Sequence, residues 1–561
     1  MTNKDIARRL KQTAALVELT GGNPYRARAY SSAARKVDQM DAAVLQLVEQ
    51  DELTGVAGIG DSIARDVEAL VRTGTFPTLD ALLESLPPGL LDVLRVKGLG
   101  PKKVRALWQE LGVTSLEDLE EVALTGRIAE LGGFGKKTQE AIVENVAQLK
   151  RYRSRRRYHE ALEAVEPLLR ALREAPGVQR AELTGALRRK LETVAAAEIV
   201  VAGAAEPLRD VLTAHAHASG EDEGAFFAGP LPNGLPLRVH RADAADFARA
   251  WWRTTGSEEH LRQFAARFGE PDPAEAEERL YRRVGLDWVP PELREGDGEI
   301  AAAEGGLPLL LTGGDLRGTL HNHSTYSDGA HTLRQMAEAA RAMGYGYFGV
   351  CDHSRSLQIA NGLPVERLRE QGEEVRRLNA EFAHDGGPPF RIFHGTECDV
   401  LQDGSLDYPD DVLAELDFVV ASVHQGFNMT EAEATERLVR AASNPYVSIL
   451  GHLTGRLLLR REGYPVNHAR VIAACAEHGT AIELNANPYR LDMDWRYVRE
   501  ATQQGVLISI NPDAHSTDGL ADVQWGVAVA RKGWLTAEQC LNAKTAEAFE
   551  AWLAERTPAA T

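Results

Sequence analysis

Short apolar segments alternate with amphipathic segments throughout the last 240 or so residues of the chain. This alternation predicts a parallel sheet whose strands are joined by helices, and seven strands are enough to close, or nearly close, a (β/α)7 barrel. The seven predicted strands span residues 318–321, 347–351, 390–393, 418–423, 447–450, 481–484 and 506–510. The predicted helices between them span residues 332–343, 365–384, 430–442, 467–478 and 494–504.

Histidine and carboxylate side chains follow the ends of these predicted strands. His321 and His323 lie two residues apart, so on a regular strand they would project to the same face. The carboxyl ends of barrel strands form a single face, where residues distant in sequence meet, so one metal centre explains the pattern better than independent surface histidines. Imidazole and carboxylate ligands without cysteine suit Zn, Mn or Fe. The candidate ligands are His321, His323, Asp328, His353, Glu397, His424, His452, Asp513 and His515.

The first third of the chain predicts short helices over residues 5–19, 25–40, 42–49 and 63–73. A glycine–hydrophobic–glycine unit occurs three times between helical stretches, which is typical of helix-hairpin-helix units. The glycines allow a turn that exposes backbone N–H groups at the start of a helix, where they can bind a phosphate. The candidate DNA-binding residues are Gly58, Gly60, Gly98, Gly100, Lys102, Lys103, Gly133, Gly135, Lys136 and Lys137.

Local charge favours the same interpretation. Residues 95–157 contain 14 Lys and Arg against 8 Asp and Glu, in a chain whose formal net charge is −19. The overall negative charge argues against a protein that coats nucleic acid electrostatically, but it leaves local binding open. A basic run at residues 150–157 is interleaved with tyrosine, and it is as consistent with a solvated helix face as with DNA contact.

Residues 176–240 predict an α/β region with strands at 178–183, 198–201 and 236–240. The stretch TGALRRKLETV at residues 184–194, which includes Arg188, resembles the nucleotide-binding motif of family X DNA polymerases, and TGSEEH at residues 255–260 resembles a later motif of that family. The resemblance implies a palm domain in which three aspartates hold a pair of Mg²⁺ or Mn²⁺ ions. Ala196, Glu198 and Pro236 stand at those positions.

These substitutions bear on the expected chemistry. Phosphoryl transfer by two metals needs carboxylates to place both ions, and alanine and proline offer no ligand. We therefore expect nucleotidyl transfer to be lost or very weak. The lyase lysine of the family is also missing, because Asp66 and Ser62 stand at the lysine positions and a carboxylate cannot form a Schiff base.

The C-terminal motifs resemble the PHP (polymerase and histidinol phosphatase) domain, which follows the polymerase core in bacterial family X polymerases. The resemblance implies three divalent ions, Mn, Zn or Fe, and a metal-bound water as nucleophile. It places one ion between His321, His323, Glu397 and Asp513, a second between Glu397, His424 and His452, and a third between Asp328, His353 and His515. Asp352 lies outside this set and is expected to play a supporting role.

Arginines near the predicted fifth strand are candidates for steering an anionic substrate. Arg456 and Arg460 are the two residues we assign to phosphate steering, with Arg461 beside them, although a plain surface role explains any one of them equally well. Asn485 and Asn487, at the end of the sixth predicted strand, are expected to line the pocket.

The predicted fold is multidomain: all-α helix-hairpin-helix domains, a nucleotidyltransferase-like α/β palm, and a PHP barrel. The predicted boundaries are an N-terminal helical domain at 1–80, a fingers-like domain at 81–158, a degenerate palm at 159–240, a trimmed thumb at 241–292, a linker at 293–317 and the barrel at 318–561. Four cysteines without framework spacing, and the absence of a predicted signal or membrane segment, favour a cytoplasmic, nucleoid-associated protein.

The favoured function is a DNA-repair 3′-5′ exonuclease and 3′-end phosphoesterase. It would act as a monomer on gapped or nicked DNA. Three alternatives stay open: a Mn-dependent gap-filling polymerase, a small-molecule phosphatase of the histidinol phosphatase type, and a DNA-binding scaffold. The three hairpins count against the phosphatase, since a small substrate needs no grip on DNA.

Overall fold

The computed structural model describes residues 1, 3–38, 40, 44–50, 52–56, 58–216 and 227–556. The chain forms two compact units, Met1–Ser154 and Arg155–Thr561. The start of the predicted helix at 42–49, and Ala57 in the first hairpin, lie outside the described residues. No helix in the described ranges is both long and apolar enough to cross a membrane.

The first unit is all helical, as predicted. Its helices pack around a core of small and branched apolar side chains, among them Leu10, Val67, Leu107 and Val146. The helices are α1 (Asn3–Leu19), α2 (Pro24–Asp38), α3 (Val44–Glu49), α4 (Asp61–Thr73), α5 (Pro77–Glu84), α6 (Leu90–Val93), α7 (Pro101–Leu111), α8 (Leu116–Leu124) and α9 (Lys136–Arg153).

The second unit begins with the predicted palm. A four-stranded sheet has the order β2-β4-β6-β5, with β4 and β6 parallel and the outer pairs antiparallel. The elements are β1 (Arg156–Arg157), α10 (Tyr158–Glu174), β2 (Val178–Thr184), α11 (Gly185–Arg188), β3 (Thr193–Val194), β4 (Ala197–Gly203), α12 (Ala205–His215), β5 (Phe227–Pro230) and β6 (Pro236–Arg241).

Four helices follow the palm and form their own core around Trp252, Phe264 and Tyr281. They are α13 (Phe247–Thr255), α14 (Glu258–Phe268), α15 (Glu277–Arg282) and α16 (Glu299–Gly305). The prediction that residues 293–317 form a linker is therefore wrong. The segment carries α16, and Ile300 and Ala303 are buried in this core.

Buried charge explains why the composition of this segment was misleading. Arg294 is 0% exposed, and its guanidinium donates to both carboxylate oxygens of Glu277 at 2.9 and 3.0 Å and to the Val289 carbonyl. Gly296 has φ +84°, and a Cβ there would lie 2.3 Å from the Glu259 side chain, so the glycine serves close packing. Charge and glycine, which are typical of linkers, here belong to a packed turn.

The barrel contains all seven predicted strands, in one parallel sheet with the sequential order β7 to β13. A bridge between Asn322 and Ala514 joins the two outer strands at the carboxyl rim. The strands are β7 (Gly318–Asn322), β8 (Tyr347–Val350), β9 (Arg391–Asp399), β10 (Phe418–Ser422), β11 (Ile449–Leu450), β12 (Ala481–Asn485) and β13 (Ile508–Asn511).

Helices surround the sheet, including all five that were predicted. The C-terminal helix α24 was not predicted, and its Phe549 stacks on Tyr347 at 5.4 Å between ring centroids. Because Tyr347 opens β8, this helix covers the amino-terminal end of the barrel and leaves the carboxyl rim for the site. The helices are α17 (Leu333–Ala342), α18 (Val365–His384), α19 (Asp410–Leu413), α20 (Glu431–Ala442), α21 (His468–His478), α22 (Val498–Gln503), α23 (Val523–Lys532) and α24 (Ala546–Arg556).

Candidate metal centre

Glu397, at the end of β9, is the middle of a histidine cluster. Its Oε1 lies 2.9 Å from His452 Nε2, 3.1 Å from His424 Nε2 and 3.2 Å from His321 Nε2. Its Oε2 lies 2.8 Å from His353 Nδ1. These five side chains come from five different strands or the loops after them, so the barrel brings them together as the sequence predicted.

Two aspartates extend the cluster. His323 Nε2 lies 3.2 Å from Asp513 Oδ1, and His515 Nε2 lies 3.2 Å from Asp328 Oδ1. The Asp328 and His515 side chains are 38% and 39% exposed, whereas the Glu397 side chain is 1% exposed. The centre therefore opens to solvent on the side of Asp328 and His515.

The spacing of these ligand atoms fits metal coordination. Four ligands each about 2.1 Å from a metal are separated from one another by about 3.4 Å in a tetrahedron. Three groups of atoms in the described chain lie close enough to share an ion: His323, Asp328, His353 and His515; His321, His323 and Asp513; and His353, Glu397 and His424. All nine predicted ligands thus converge, although the groups differ from the predicted sets. His323 and His353 each stand in two groups, and His452 stands in none of them but lies 2.9 Å from Glu397 Oε1.

Several buried atoms in the centre make no hydrogen bond of good geometry with any residue that the structure describes, although some of them lie close to another ligand atom. They include His321 Nε2, both ring nitrogens of His323, His353 Nδ1 and Glu397 Oε2. Burying such polar atoms without a partner costs about 1–3 kcal/mol each. Ligation of divalent ions would satisfy them, so the residues present fit the metals that the sequence implies.

Backbone geometry aims two of the ligands. His321 and Asp513 have φ values of +54° and +52°, in the left-handed region that residues with a Cβ rarely adopt. The register of β7 against β8 is also irregular between Thr319 and Asn322. The prediction that His321 and His323 lie close together is met, but regular strand alternation is not the cause. Their rings do lie 5.3 Å apart, but a local distortion of the strand directs His321 inward.

Further carboxylates contact the Nδ1 atoms of two of the histidines, and the sequence analysis did not predict them. Glu483, fully buried on β12, lies 2.6 Å from His321 Nδ1 and accepts a hydrogen bond from the His452 backbone N–H. Asp399, two residues after Glu397, pairs with His424 Nδ1. Such partners fix the orientation of a ligating imidazole. A glutamate inside the apolar strand at 481–484 was the one available signal.

The charges shift the titration of the histidines strongly. Burial opposes the charged form, but Glu397 and Asp399 raise the pKa of His424 to about 10. Burial and the neighbouring His515 and His353 lower the pKa of His323 to about 3. Ion binding must therefore displace protons from some ligands, which makes metal affinity depend on pH.

Asp352 supports the centre without joining it. Its two oxygens accept hydrogen bonds from the Ser324 N–H at 2.8 Å and the Ser324 hydroxyl at 2.6 Å, and from Ser327. These bonds hold the loop that carries Asp328.

The arginine prediction has a mixed outcome. Arg456 is tied to Asp494 at 2.9 Å and to the carbonyls of Arg490 and Leu491, so it braces two loops and is not free to steer a phosphate. Arg460 is exposed, and Arg461 binds the Gly455 carbonyl and stacks over Phe427.

Arg490 was missed, and it lies at the centre itself. Its Nε is 3.3 Å from Asp513 Oδ2, and its side chain is 20% exposed. Asn485 donates to the same carboxylate oxygen at 3.1 Å, so it lines the centre, whereas Asn487 shapes the loop by accepting from the Tyr489 N–H.

The three hairpins of the first unit share one geometry. In each, the first glycine has a positive φ, with values of +97°, +87° and +88°, and the second glycine precedes the first residue of a helix without any side-chain cap. A Cβ would meet nothing within 4 Å at any of the six positions, so the backbone there is open to a ligand. The glycines are Gly58 and Gly60, Gly98 and Gly100, and Gly133 and Gly135.

The side chains around the hairpins are not equivalent. Lys102, Lys136 and Lys137 are exposed, whereas Lys103 contacts the Gly98 carbonyl at 3.3 Å. The first hairpin has Asp61 in the first turn of its helix, and a carboxylate there competes with a bound phosphate. The second and third hairpins are therefore better suited to an anion.

Comparisons with known proteins agree with this architecture. A helix-hairpin-helix domain model matches residues 1–76, a SAM-like helix-hairpin-helix tandem matches 90–147, and a PHP domain model matches 319–487. The "DNA polymerase/3'-5' exonuclease PolX" of Bacillus subtilis strain 168 is 36% identical over 577 residues, which cover 99% of this chain and 99% of that protein. The chain belongs to the PolX family. The fold class predicted from the sequence is confirmed, as is the resemblance that led to it.

More distant relatives match a smaller share of this PolX-family chain. A "Probable phosphatase" of Acetivibrio thermocellus is 30% identical over 204 residues, which are 35% of this chain and 78% of that protein. A "Probable phosphatase" of Thermoanaerobacter sp. strain X514 is 27% identical over 234 residues, or 40% and 88% of the two chains.

The palm of this PolX-family chain lacks a comparable ligand cluster among its described residues. Glu198 on β4 lies beside His240 at 3.3 Å and opposite Arg238 on β6, and Ala196 and Pro236 bring no ligand atom. Gly185 has φ +63°, and a Cβ there would lie 2.8 Å from the Glu198 carboxyl carbon.

Arg188, from the nucleotide-binding motif, is engaged internally. Its guanidinium binds both oxygens of Glu277 at 2.7 and 2.6 Å, donates to Thr255 and stacks on Trp251 at 3.4 Å. With 11% of its side chain exposed, it is held in the protein interior.

Proposed function

We propose that this protein is a metal-dependent 3′-5′ exonuclease and 3′-end phosphoesterase that works through the barrel. The observation that carries the proposal is the convergence of four histidines on the two oxygens of Glu397, at 2.8–3.2 Å. The full-length similarity to a DNA polymerase/3'-5' exonuclease supports DNA as the substrate.

Three divalent ions, Mn or Zn, are assigned to the nine ligands. His321, His323, Glu397 and Asp513 would hold one ion, Glu397, His424 and His452 a second, and Asp328, His353 and His515 a third at the solvent-exposed edge. When bound, such ions supply positive charge that stabilises a phosphoryl transition state and make a water more acidic. The protein fixes the ligands through Glu483 and Asp399, which orient His321 and His424.

Arg490 is the residue we assign to orienting the phosphodiester. It reaches the edge of the centre at Asp513, and 20% of its side chain is exposed. A planar fork of N–H donors matches two oxygens of a phosphate. This assignment replaces the one made for Arg456, while Arg460 remains a candidate for longer-range attraction.

The helix-hairpin-helix unit is assigned to DNA binding, with gapped or nicked DNA as the substrate and a monomer as the active form. Uncapped backbone N–H groups at Gly100 and Gly135 bind phosphates without reading base sequence. Lys102, Lys136 and Lys137 add positive charge beside them.

Polymerisation is proposed to be lost or very weak. Glu198 alone cannot hold two ions, and the Arg188 guanidinium is already bound to both oxygens of Glu277. The palm then serves as a scaffold, because its helix α10 and the helices after it pack against the barrel. Lys532 of α23 donates to the Arg189 and Glu292 carbonyls, and Trp525 packs on Tyr158.

The exonuclease proposal predicts the behaviour of His323→Ala. On 3′-labelled gapped DNA with Mn²⁺ and no nucleotides, we expect the wild type to release labelled mononucleotide, and His323→Ala to release at least about 100-fold less, since the residue stands in two ion-sharing groups. His384→Ala, which removes an exposed imidazole at the end of α18, is the matched control and should match the wild type. Equal release by His323→Ala and wild type would refute the barrel as the nuclease.

The hairpin assignment predicts a change in the salt dependence of DNA binding. Lys136→Ala/Lys137→Ala removes two exposed charges at a hairpin, so the slope of log K against log salt should become less steep by about 2 for duplex DNA. Fluorescence anisotropy across a salt series measures the slope. Arg35→Ala/Lys36→Ala, which removes two exposed charges from the end of α2, should leave the slope unchanged. Equal slopes for both variants would contradict the assignment.

A further inference from the structure

The loop after β12 joins the metal centre to the palm. Within it, the Tyr489 carbonyl accepts a hydrogen bond from the Leu458 N–H at 2.7 Å, which ties it to the loop after β11. Arg157, at the start of the palm, donates from Nε to the Leu458 carbonyl at 3.1 Å. The two rim loops are therefore fastened to each other and to the palm.

Tyr489 itself is held on one side and open on the other. The Arg157 guanidinium lies over its ring at 4.5 Å, and His159 contacts the ring at 5.4 Å between centroids. Even so, 50% of Tyr489 is exposed, which makes it one of the few large apolar side chains on the described surface. A tyrosine braced by a cation and left half exposed presents a rigid aromatic surface to solvent.

The Tyr489 ring lies next in sequence to a residue of the metal centre. The next residue, Arg490, touches Asp513, which belongs to one of the ion-sharing groups. Because consecutive Cα atoms lie about 3.8 Å apart, Tyr489 belongs to the same stretch of the rim as Arg490, and the nucleoside attached to a phosphate at Arg490 would lie beside that stretch. Stacking on an aromatic side chain tolerates every base, because every base has a π-face.

We propose that Tyr489 is a specificity-determining residue that stacks on the base of the 3′-terminal nucleotide after it has left the DNA stack. The proposal rests on the exonuclease function above and adds the form of substrate that the centre takes: a nucleotide with an unpaired base, in preference to a phosphate without one. Arg157 and His159 act as positioning residues, because they touch the ring and not the substrate.

The first test compares a normal 3′-terminal nucleotide with an abasic tetrahydrofuran nucleotide on a short single strand, in Mn²⁺. For the wild type, kcat/KM should be about 5- to 100-fold higher for the strand that carries a base. Tyr489→Ala should lose that ratio, mainly by slowing on the base-bearing strand, and Tyr489→Phe should keep it. Met343→Ala, which removes an exposed apolar side chain before β8, at the opposite end of the barrel, should keep the ratio too. A ratio that is the same in Tyr489→Ala and wild type overturns the proposal, whatever happens to the overall rate.

A second measurement needs no hydrolysis. The full-length wild type is mixed in EDTA with a strand that ends in 5-iododeoxyuridine, irradiated and mapped by mass spectrometry, and we expect the crosslink at Tyr489. If the wild type crosslinks at Tyr489 but hydrolyses no DNA with metal, the exonuclease function fails and the base contact stands. A crosslink that maps elsewhere overturns the base contact and leaves the exonuclease function untouched.

Discussion

Replacing Glu397 by glutamine should abolish hydrolysis of 3′-terminal nucleotides, with a fall of about 1,000-fold or more. The substitution keeps the shape of the side chain and removes its charge. Burial disfavours that charge, but His424, His321 and His353 hold the pKa of Glu397 well below its ordinary value, so it is ionised in the folded protein. The carboxylate lies within 3.2 Å of four histidine nitrogens.

The measurement pairs activity with metal content. Inductively coupled plasma mass spectrometry should show fewer Mn or Zn ions per chain in Glu397→Gln than in the wild type, because a charged ligand that would hold an ion is lost. Glu373→Gln makes the same chemical change at an exposed position on α18, and it should alter neither quantity. Full activity with full metal content in Glu397→Gln would contradict the central place of this residue.

Replacing Arg294 by alanine should destabilise the second unit by about 3–5 kcal/mol, because it leaves a buried carboxylate short of one partner. Arg294 is fully buried and binds both oxygens of Glu277. Burial disfavours the charged carboxylate, but Arg294 and Arg188 lower the pKa of Glu277 to about 2. The stabilising contribution is therefore present above about pH 4.5 and is lost as the pH falls toward 2.

Urea unfolding followed by tryptophan fluorescence measures this effect, since Trp252 and Trp288 pack in the same core. Arg262→Ala breaks an exposed ion pair with Glu259 on α14 and should leave the unfolding midpoint unchanged. Equal urea midpoints for Arg294→Ala and the wild type would contradict a stabilising role for the buried Arg294–Glu277 pair.

Periodicity and the positions of ligand-type residues were enough to predict the barrel. The alternation of strands and helices is visible in local sequence. Once a strand is predicted, a histidine that directly follows it is also predicted to lie at the carboxyl rim. All seven strands appear in the predicted order, although β11 is shorter than predicted and β9 is longer.

The parts that the sequence did not predict depend on long-range contacts. Glu483 is a single acid in an apolar strand, and its partner His321 is 162 residues away. Arg456 and Arg490 both lie in loops that follow barrel strands, so the sequence does not distinguish them. The loop conformations place Arg490 beside Asp513 and Arg456 beside Asp494. From sequence alone Arg294 is typical of an exposed linker residue, because its buried partner Glu277 is identified only in the structure. The finer boundaries within each unit, and the roles of the individual ligands, remain predictions.

If the barrel, and not the palm, is the working site, one assay on gapped DNA should separate the two. A gapped DNA with a 5′-labelled primer is incubated with Mn²⁺ and all four nucleotides, so that a single gel reports both shortening and extension. We expect the wild type and Glu198→Ala to shorten the primer equally, and Glu397→Gln to leave it intact. If the wild type extends the primer and Glu198→Ala does not, the palm is an active polymerase site.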